Sequence, residues 1–189
     1  MAKKPNYYEL LELYPAATQD EIENAFRMML YKYHPDHNPD KADWAHEKTS
    51  AVVEAHNVLS HPLRRKIYNF LISASIKETM AERKFNIFQG GEKKKFEEAE
   101  ALFKEGVNAC DTNKQAAFSK FQVSIAHYKT AEALYNMGVI SVQTNRLPEA
   151  QKYFTDAMNM EPETQTYKRV LEKFGELQRE IEKAKKAAQ

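Results

Sequence analysis

The chain has 189 residues, enough for two small domains or one of ordinary size. Its 28 basic and 27 acidic residues nearly cancel, so no global field directs it to nucleic acid or to a membrane surface. The single cysteine, Cys110, excludes an internal disulfide and a Cys-rich zinc site, and it suits a reducing compartment.

Glycine (5) and proline (7) are few, and apolar residues recur at helical rather than alternating spacing, which predicts an all-α fold. The opening MAKKPNYYELLEL has two lysines but no sustained apolar run or small-residue cleavage site. No segment approaches the ~18 apolar residues of a membrane span, so a soluble, cytoplasmic protein is expected. Residues 6–13, NYYELLEL, predict a short helix with Tyr7, Leu10 and Leu11 on one face, broken at Pro15. Thr18-Gln19-Asp20-Glu21 reads as a capping box, in which the Thr hydroxyl accepts an early backbone N–H and Glu21 reaches back to the cap. The second helix runs from there to about Tyr33, with Ile22, Phe26, Met29, Leu30 and Tyr33 at core spacing. In YKYHPDHNPD two prolines and an asparagine forbid its continuation. A third helix over 41–59 turns Val52, Ala55 and Leu59 inward, so His34-Pro35-Asp36 sits at the tip of a helical hairpin. A fourth helix opens at Pro62, a favourable first helical position.

His34-Pro35-Asp36, flanked by NYYELLEL and HPLRRKIYN at this spacing, resembles the J-domain of Hsp40 co-chaperones over roughly residues 6–70. The resemblance implies that the loop contacts a DnaK-type Hsp70 and triggers its ATPase. Pro35 stiffens the turn, His34 donates a hydrogen bond that holds it, and Asp36 is left as a forward-facing carboxylate suited to a bidentate pair with an arginine. Arg27 and Lys32 retain part of the basic face that the family carries beside this loop, whereas Glu23 and Met28 stand where bacterial members carry positive charge. Asn38 joins the expected Hsp70-binding set, as do Arg64 and Arg65, which with Tyr68 and Asn69 resemble the family's QKRxxYD segment; the two arginines either touch the Hsp70 or fix the fourth helix. Residues 1–70 hold nine basic and ten acidic side chains, so electrostatic steering is expected to be weak. Thr49 and His56 replace an aromatic pair of the family core, Trp44 offers compensation, and His61 takes the place of a capping Asp.

Beyond the hairpin, Ile72, Ile76, Met80 and Ile87 extend the helical spacing over 71–89. Gln89-Gly90-Gly91-Glu92 is the strongest breaker, and the domain boundary is placed there: a J-domain at 1–70, a helical arm or linker at 71–95, and a C-terminal module at 96–189. In that module Leu134, Gly138, Ala150, Phe154, Ala157 and Pro162 resemble the signature of a tetratricopeptide (TPR) repeat, with Ser141 where the family has a tyrosine. Gly138 and Ala150 let two helices cross closely, Phe154 fills the gap, and Pro162 ends the second helix. Leu102, Gly106, Ala117, Phe121 and Ser124 repeat the outline upstream. Tyr167, Val170, Leu171, Phe174, Leu177 and Ile181 give a long amphipathic capping helix. Because two repeats and a cap fall short of about three repeats, the 71–89 helix is expected to pack on the first repeat. The resemblance implies a concave protein- or peptide-binding face at Phe103, Val107, Tyr135, Asn136 and Val139. Phe103 and Val107 stand where a chaperone-tail clamp has Lys and Asn, which argues against that ligand.

The reading is therefore an all-α, two-part co-chaperone in which a specific targeting module replaces general client binding. One rival is a scaffold or adaptor whose J-domain does not stimulate Hsp70, suggested by Glu23, Met28 and Thr49. Another is a metal-assisted enzyme built on His34, His37, His46, His56 and His61, but no two of these stand at i,i+4. No phosphate-binding loop or nucleophile setting is present, Cys110 reads as an inert helix residue, and neither catalysis nor a cofactor or metal is expected.

Overall fold

The structure is a computed structural model that describes residues 6–84 and 90–187. Among the described residues all regular structure is helical, in two compact units, Met1–Asn69 and Phe70–Gln189. The α-helices among the described residues are α1 (Tyr7–Leu10), α2 (Gln19–Tyr33), α3 (Ala42–Leu59), α4 (Pro62–Ser73), α5 (Gly90–Ala109), α6 (Lys114–His127), α7 (Ala131–Gln143), α8 (Leu147–Met160) and α9 (Gln165–Ala187). Two 3-10 turns, Pro35–His37 and Pro39–Lys41, join α2 to α3.

In the first unit Asn6 and Glu9 form a capping box that starts α1. The helix ends in a Schellman turn: Glu12 takes a positive φ of 56° and the Leu13 N–H reaches the Tyr8 carbonyl at 2.8 Å. The Thr18–Glu21 box forms as expected, with both reciprocal bonds present. Helices α2 and α3 run antiparallel, since Glu23 meets His56 while the Tyr33 carbonyl meets Thr49. Tyr8, Leu11, Ile22, Met29, Val52 and Leu59 close the core between them. Helix α4 is tied to this core by Tyr68, whose hydroxyl accepts the Tyr7 N–H at 2.7 Å and whose ring stacks on Tyr7.

The second unit contains two helical hairpins of one construction, α5–α6 and α7–α8, followed by α9. A Cβ added at Gly106 would lie 2.8 Å from the Phe121 ring, and one at Gly138 would lie 2.6 Å from the Phe154 ring. Each hairpin therefore crosses where a phenylalanine ring packs directly against a glycine, 15 or 16 residues apart in sequence. Phe154 also meets Phe70, Phe174 and Tyr135 in an aromatic cluster. Residues 131–142 of α7 are buried on every face, so this helix is the axis of the unit. It ends in a second Schellman turn, with Asn145 at φ 57° and the Arg146 N–H on the Ser141 carbonyl at 2.7 Å. Cys110 is buried and its thiol donates to the Gly106 carbonyl at 3.3 Å; burial pushes its pKa up to about 11.

The helix expected over 71–89 is absent from 74–84, the described residues of that stretch beyond α4. Helix α4 stops at Ser73, and residues 74–84 run without regular structure. Ile76 and Met80 do pack on the α5–α6 core, but from an irregular segment held by side chains of α7 rather than from a helix. Gly90 and Gly91 open α5 instead of breaking the chain. In the first turn of a helix the backbone N–H groups need no intrahelical partner, and Glu92 there complements the dipole. Ile87 and Gln89, read as part of the arm and its breaker, lie outside the described residues.

Candidate functional site

The hairpin tip is built by the end of α2. His34 leaves the helix with ψ 135°, as a residue before proline must, and Pro35 then starts a 3-10 turn. The expectation that His34 donates a bond to hold the loop is reversed: its Nδ1 accepts the Asp36 N–H at 3.2 Å. Asn38 closes the loop from the other side, donating from Nδ2 to the Lys32 and His34 carbonyls at 3.0 and 2.9 Å. His37 Nδ1 lies 2.9 Å from the Tyr31 carbonyl, and its ring packs on Tyr31. Thr49 reaches across from α3 to the Tyr33 carbonyl at 2.9 Å, while Trp44 stands edge-on to the Tyr33 ring. The turn is thus fixed by four side chains, and the Asp36 carboxylate remains 84% exposed. A carboxylate held on a stiff loop in water is a ready acceptor for a partner's guanidinium.

The outer face of α2 beside this loop is mixed rather than basic. Arg27 is exposed, and a shallow depression is lined by Glu12, Arg27, Met28, Met29, Tyr31 and Lys32. Met28 and Tyr31 are 67% and 71% exposed. Lys32 is paired at 2.7 Å with Glu12, whose left-handed backbone brings its carboxylate into reach, and that hydrogen bond raises the Lys32 pKa. Glu23 and His56, two departures that seem unrelated in sequence, form one feature: His56 Nε2 lies 3.0 Å from both Glu23 oxygens and its ring stacks on Phe26 at 4.0 Å.

Arg64 and Arg65 separate in role. Arg65 points inward, its Nε on the Tyr8 hydroxyl at 2.9 Å and its Nη2 on the Pro15 and Ala17 carbonyls at 3.0 and 2.6 Å. It brackets α4 to the start of the unit. Arg64 is exposed and touches only the Asn57 carbonyl, at 3.3 Å, among its described side-chain contacts. Asn69 accepts the Tyr8 hydroxyl at 2.7 Å, a task its carboxamide oxygen performs as an aspartate would.

In the second unit Phe103, Tyr135, Asn136 and Val139 are buried and Val107 is half-buried. Asn136 and Tyr135 are covered by the chain's own residues 74–84: the Lys77 N–H and carbonyl both bond to the Asn136 side chain, at 2.8 and 2.9 Å. Lys77, Met80, Arg83, Glu132 and Glu161 complete this contact, and the sequence reading did not single out any of them for binding. Residues 76 and 80 share helical spacing, and nothing local marks the segment as non-helical. Among the described residues no three His, Cys, Asp or Glu side chains gather as a metal site. No described helix is long and apolar enough to cross a membrane.

The model of the DnaJ domain family matches residues 6–69. The Mycoplasmoides gallisepticum "Chaperone protein DnaJ" is 48% identical over 69 residues, 36% of this chain and 17% of that protein. The Mus musculus "DnaJ homolog subfamily A member 4" is 41% identical over 78 residues, 41% of this chain and 19% of that protein. The Dictyostelium discoideum "DnaJ homolog subfamily A member 1 homolog" is 44% identical over 81 residues, 42% of this chain and 17% of that protein. The chain thus spans less than a fifth of the length of these curated relatives. No solved structure matches. The hairpin with its fixed, acid-tipped turn, matched over 6–69, is a DnaJ domain.

Proposed function

We propose that this chain is an Hsp70 co-chaperone: the turn at His34-Pro35-Asp36 engages a DnaK-type Hsp70 and stimulates its ATPase, while the second unit, a TPR-like module, holds a specific protein. The observation that carries the reading is the Asp36 carboxylate, presented to solvent on a turn whose other groups are already hydrogen-bonded. The chemistry belongs to the partner; this chain supplies contact and placement. The repeated glycine–phenylalanine crossings of α5–α6 and α7–α8 support the TPR-like assignment, because close-packed hairpins of that kind stack into a binding surface.

The test is single-turnover ATP hydrolysis by a DnaK-type Hsp70 with the wild-type chain, with His34→Gln and with Asp36→Asn. The wild type accelerates hydrolysis and both variants do not, while their far-UV circular dichroism stays unchanged. Acceleration surviving both substitutions would sink the assignment. A second reading, a scaffold that docks without stimulating, is favoured by the neutralised face of α2, where Lys32 is paired with Glu12 and Glu23 with His56. No acceleration by the wild type, against an Hsp70 that responds to another J-protein, would select it.

A further inference from the structure

Residues 74–84 follow α4 and run over the second unit without regular structure, with bends at Ala74 and Thr79. Backbone outside helices and sheets needs other partners for its N–H and C=O groups wherever water is excluded. Here Glu132 and Asn136 of α7 supply them from one face, at positions i and i+4. The fully buried Asn136 carboxamide takes both the N–H and the carbonyl of Lys77, at 2.8 and 2.9 Å. Glu132 Oε1 accepts the Ala81 N–H at 2.8 Å. Between them the Lys77 ammonium lies 5.8 Å from the centres of both the Tyr135 and Tyr167 rings. Met80 is buried in the cluster that contains Phe96 and Phe103 of α5. Arg83 ends the contact: its Nη2 lies 2.9 Å from Glu161 Oε1 and 3.4 Å from Glu132 Oε2. Burial opposes the Arg83 charge, but the Glu161 bond and the two carboxylates outweigh it and hold the guanidinium's pKa up.

Those contacts follow a pattern that does not depend on the segment being part of this chain. A side-chain amide grips backbone, an apolar socket takes the side chain three residues on, and a pair of carboxylates takes an arginine six residues on. Backbone bonds give affinity to any extended peptide, and sockets at set intervals give selectivity. We infer that the face formed by α5, α7 and α9 is a receptor for a non-helical peptide segment with a lysine, an apolar residue and an arginine at successive three-residue steps, that residues 77–83 are its resident intramolecular ligand, and that a protein partner binds by substituting its own segment of the same chemistry. The inference rests on the reading of this unit as a protein-binding module, and it names the class of partner. The two cations of the segment face the receptor, Lys77 on the Tyr135 and Tyr167 rings and Arg83 on Glu132 and Glu161, while its two acidic residues, Glu78 and Glu82, are exposed. Tethering gives the resident segment a local concentration of the order of millimolar, so an outside segment competes only after the resident is weakened.

The experiment uses the full chain and a fluorescein-labelled synthetic peptide of residues 74–84. In the Met80→Asp/Arg83→Glu variant the resident segment loses its anchor and its charge match, while the receptor is intact. Fluorescence anisotropy is expected to show this variant binding the peptide at least about tenfold more tightly than wild type does. Adding Asn136→Ala removes that binding, and a peptide with Arg83→Glu does not bind. A variant of native helicity that fails to bind the peptide would overturn both this inference and the reading of the unit as a peptide binder. Binding that Asn136→Ala leaves unchanged would overturn the receptor assignment alone, since the unit would still bind a peptide elsewhere. If the variant does not fold, hydrogen exchange on the wild type decides. Lys77 and Ala81 amides exchanging at least about tenfold faster than those of α7 show a segment that leaves its seat; equal rates show a fixed part of the core and overturn the inference.

Discussion

Glu23 shows how a single residue can mislead when it is considered alone. Its acidic character suggests a weakened binding face, yet its carboxylate holds His56 of α3, which in turn stacks on Phe26. The His56 hydrogen bond lowers the Glu23 pKa below the usual carboxylate range. A carboxylate depressed in the folded state contributes stability above its unfolded pKa and loses it as pH falls through the folded one. Thermal unfolding followed between about pH 3 and 7 should therefore show Glu23→Gln less stable than wild type at the upper end, with the gap closing on acidification. A gap constant with pH would mean that the pair is not coupled to folding. Much of this unit was legible in sequence because its signals are local: two prolines after Tyr33, a capping box at Thr18, and a tripeptide at a set distance from both. The partners of Arg65 and Asn38 were not legible, because sequence shows a side chain's chemistry but not whether it turns toward the loop it closes or toward solvent.

At the scale of elements, the two hairpins were readable from the glycine and phenylalanine positions, and their geometry follows from those residues. Gly138→Ala places a methyl group 2.6 Å from the Phe154 ring, so the ring or the helix must shift. The ring is itself hemmed by Phe70, Phe174 and Tyr135, and the cost is expected to be about 1–3 kcal/mol in urea unfolding. Combining it with Phe154→Leu should cost less than the two single changes added together, the mark of a shared contact. The stretch after α4 is where local reasoning failed. Ile72, Ile76 and Met80 repeat every four residues, as they would on a helix. The bonds that hold this non-helical chain come from Asn136 and Glu132, more than 50 residues away, and no window of sequence contains both ends. Gly90-Gly91 failed for another reason: a glycine pair is equally at home in a loop and in the first turn of a helix, where backbone donors are unpaired anyway.

Across the whole molecule the charge is nearly balanced, and the first unit, with nine basic and ten acidic residues, has no basic field to draw a partner in. Lys32 and Glu12 neutralise each other beside the turn, where Met28 and Tyr31 offer apolar contact instead. Stimulation of an Hsp70 should then depend little on ionic strength, changing by less than about threefold between 50 and 200 mM salt. Glu12→Gln, which leaves the Lys32 ammonium unpaired, should steepen that dependence. A steep dependence in the wild type would indicate that Arg27 and its neighbours steer after all.

The lone thiol gives the second unit a clock. Cys110 is buried in the turn that follows α5, and burial pushes its pKa up to about 11, so at neutral pH it is a poorly accessible thiol rather than a thiolate. It should react with an aromatic disulfide only when the α5–α6 hairpin parts. With reagent in excess, the rate of colour development becomes the rate at which that hairpin opens, read on the wild-type chain without a label or a substitution.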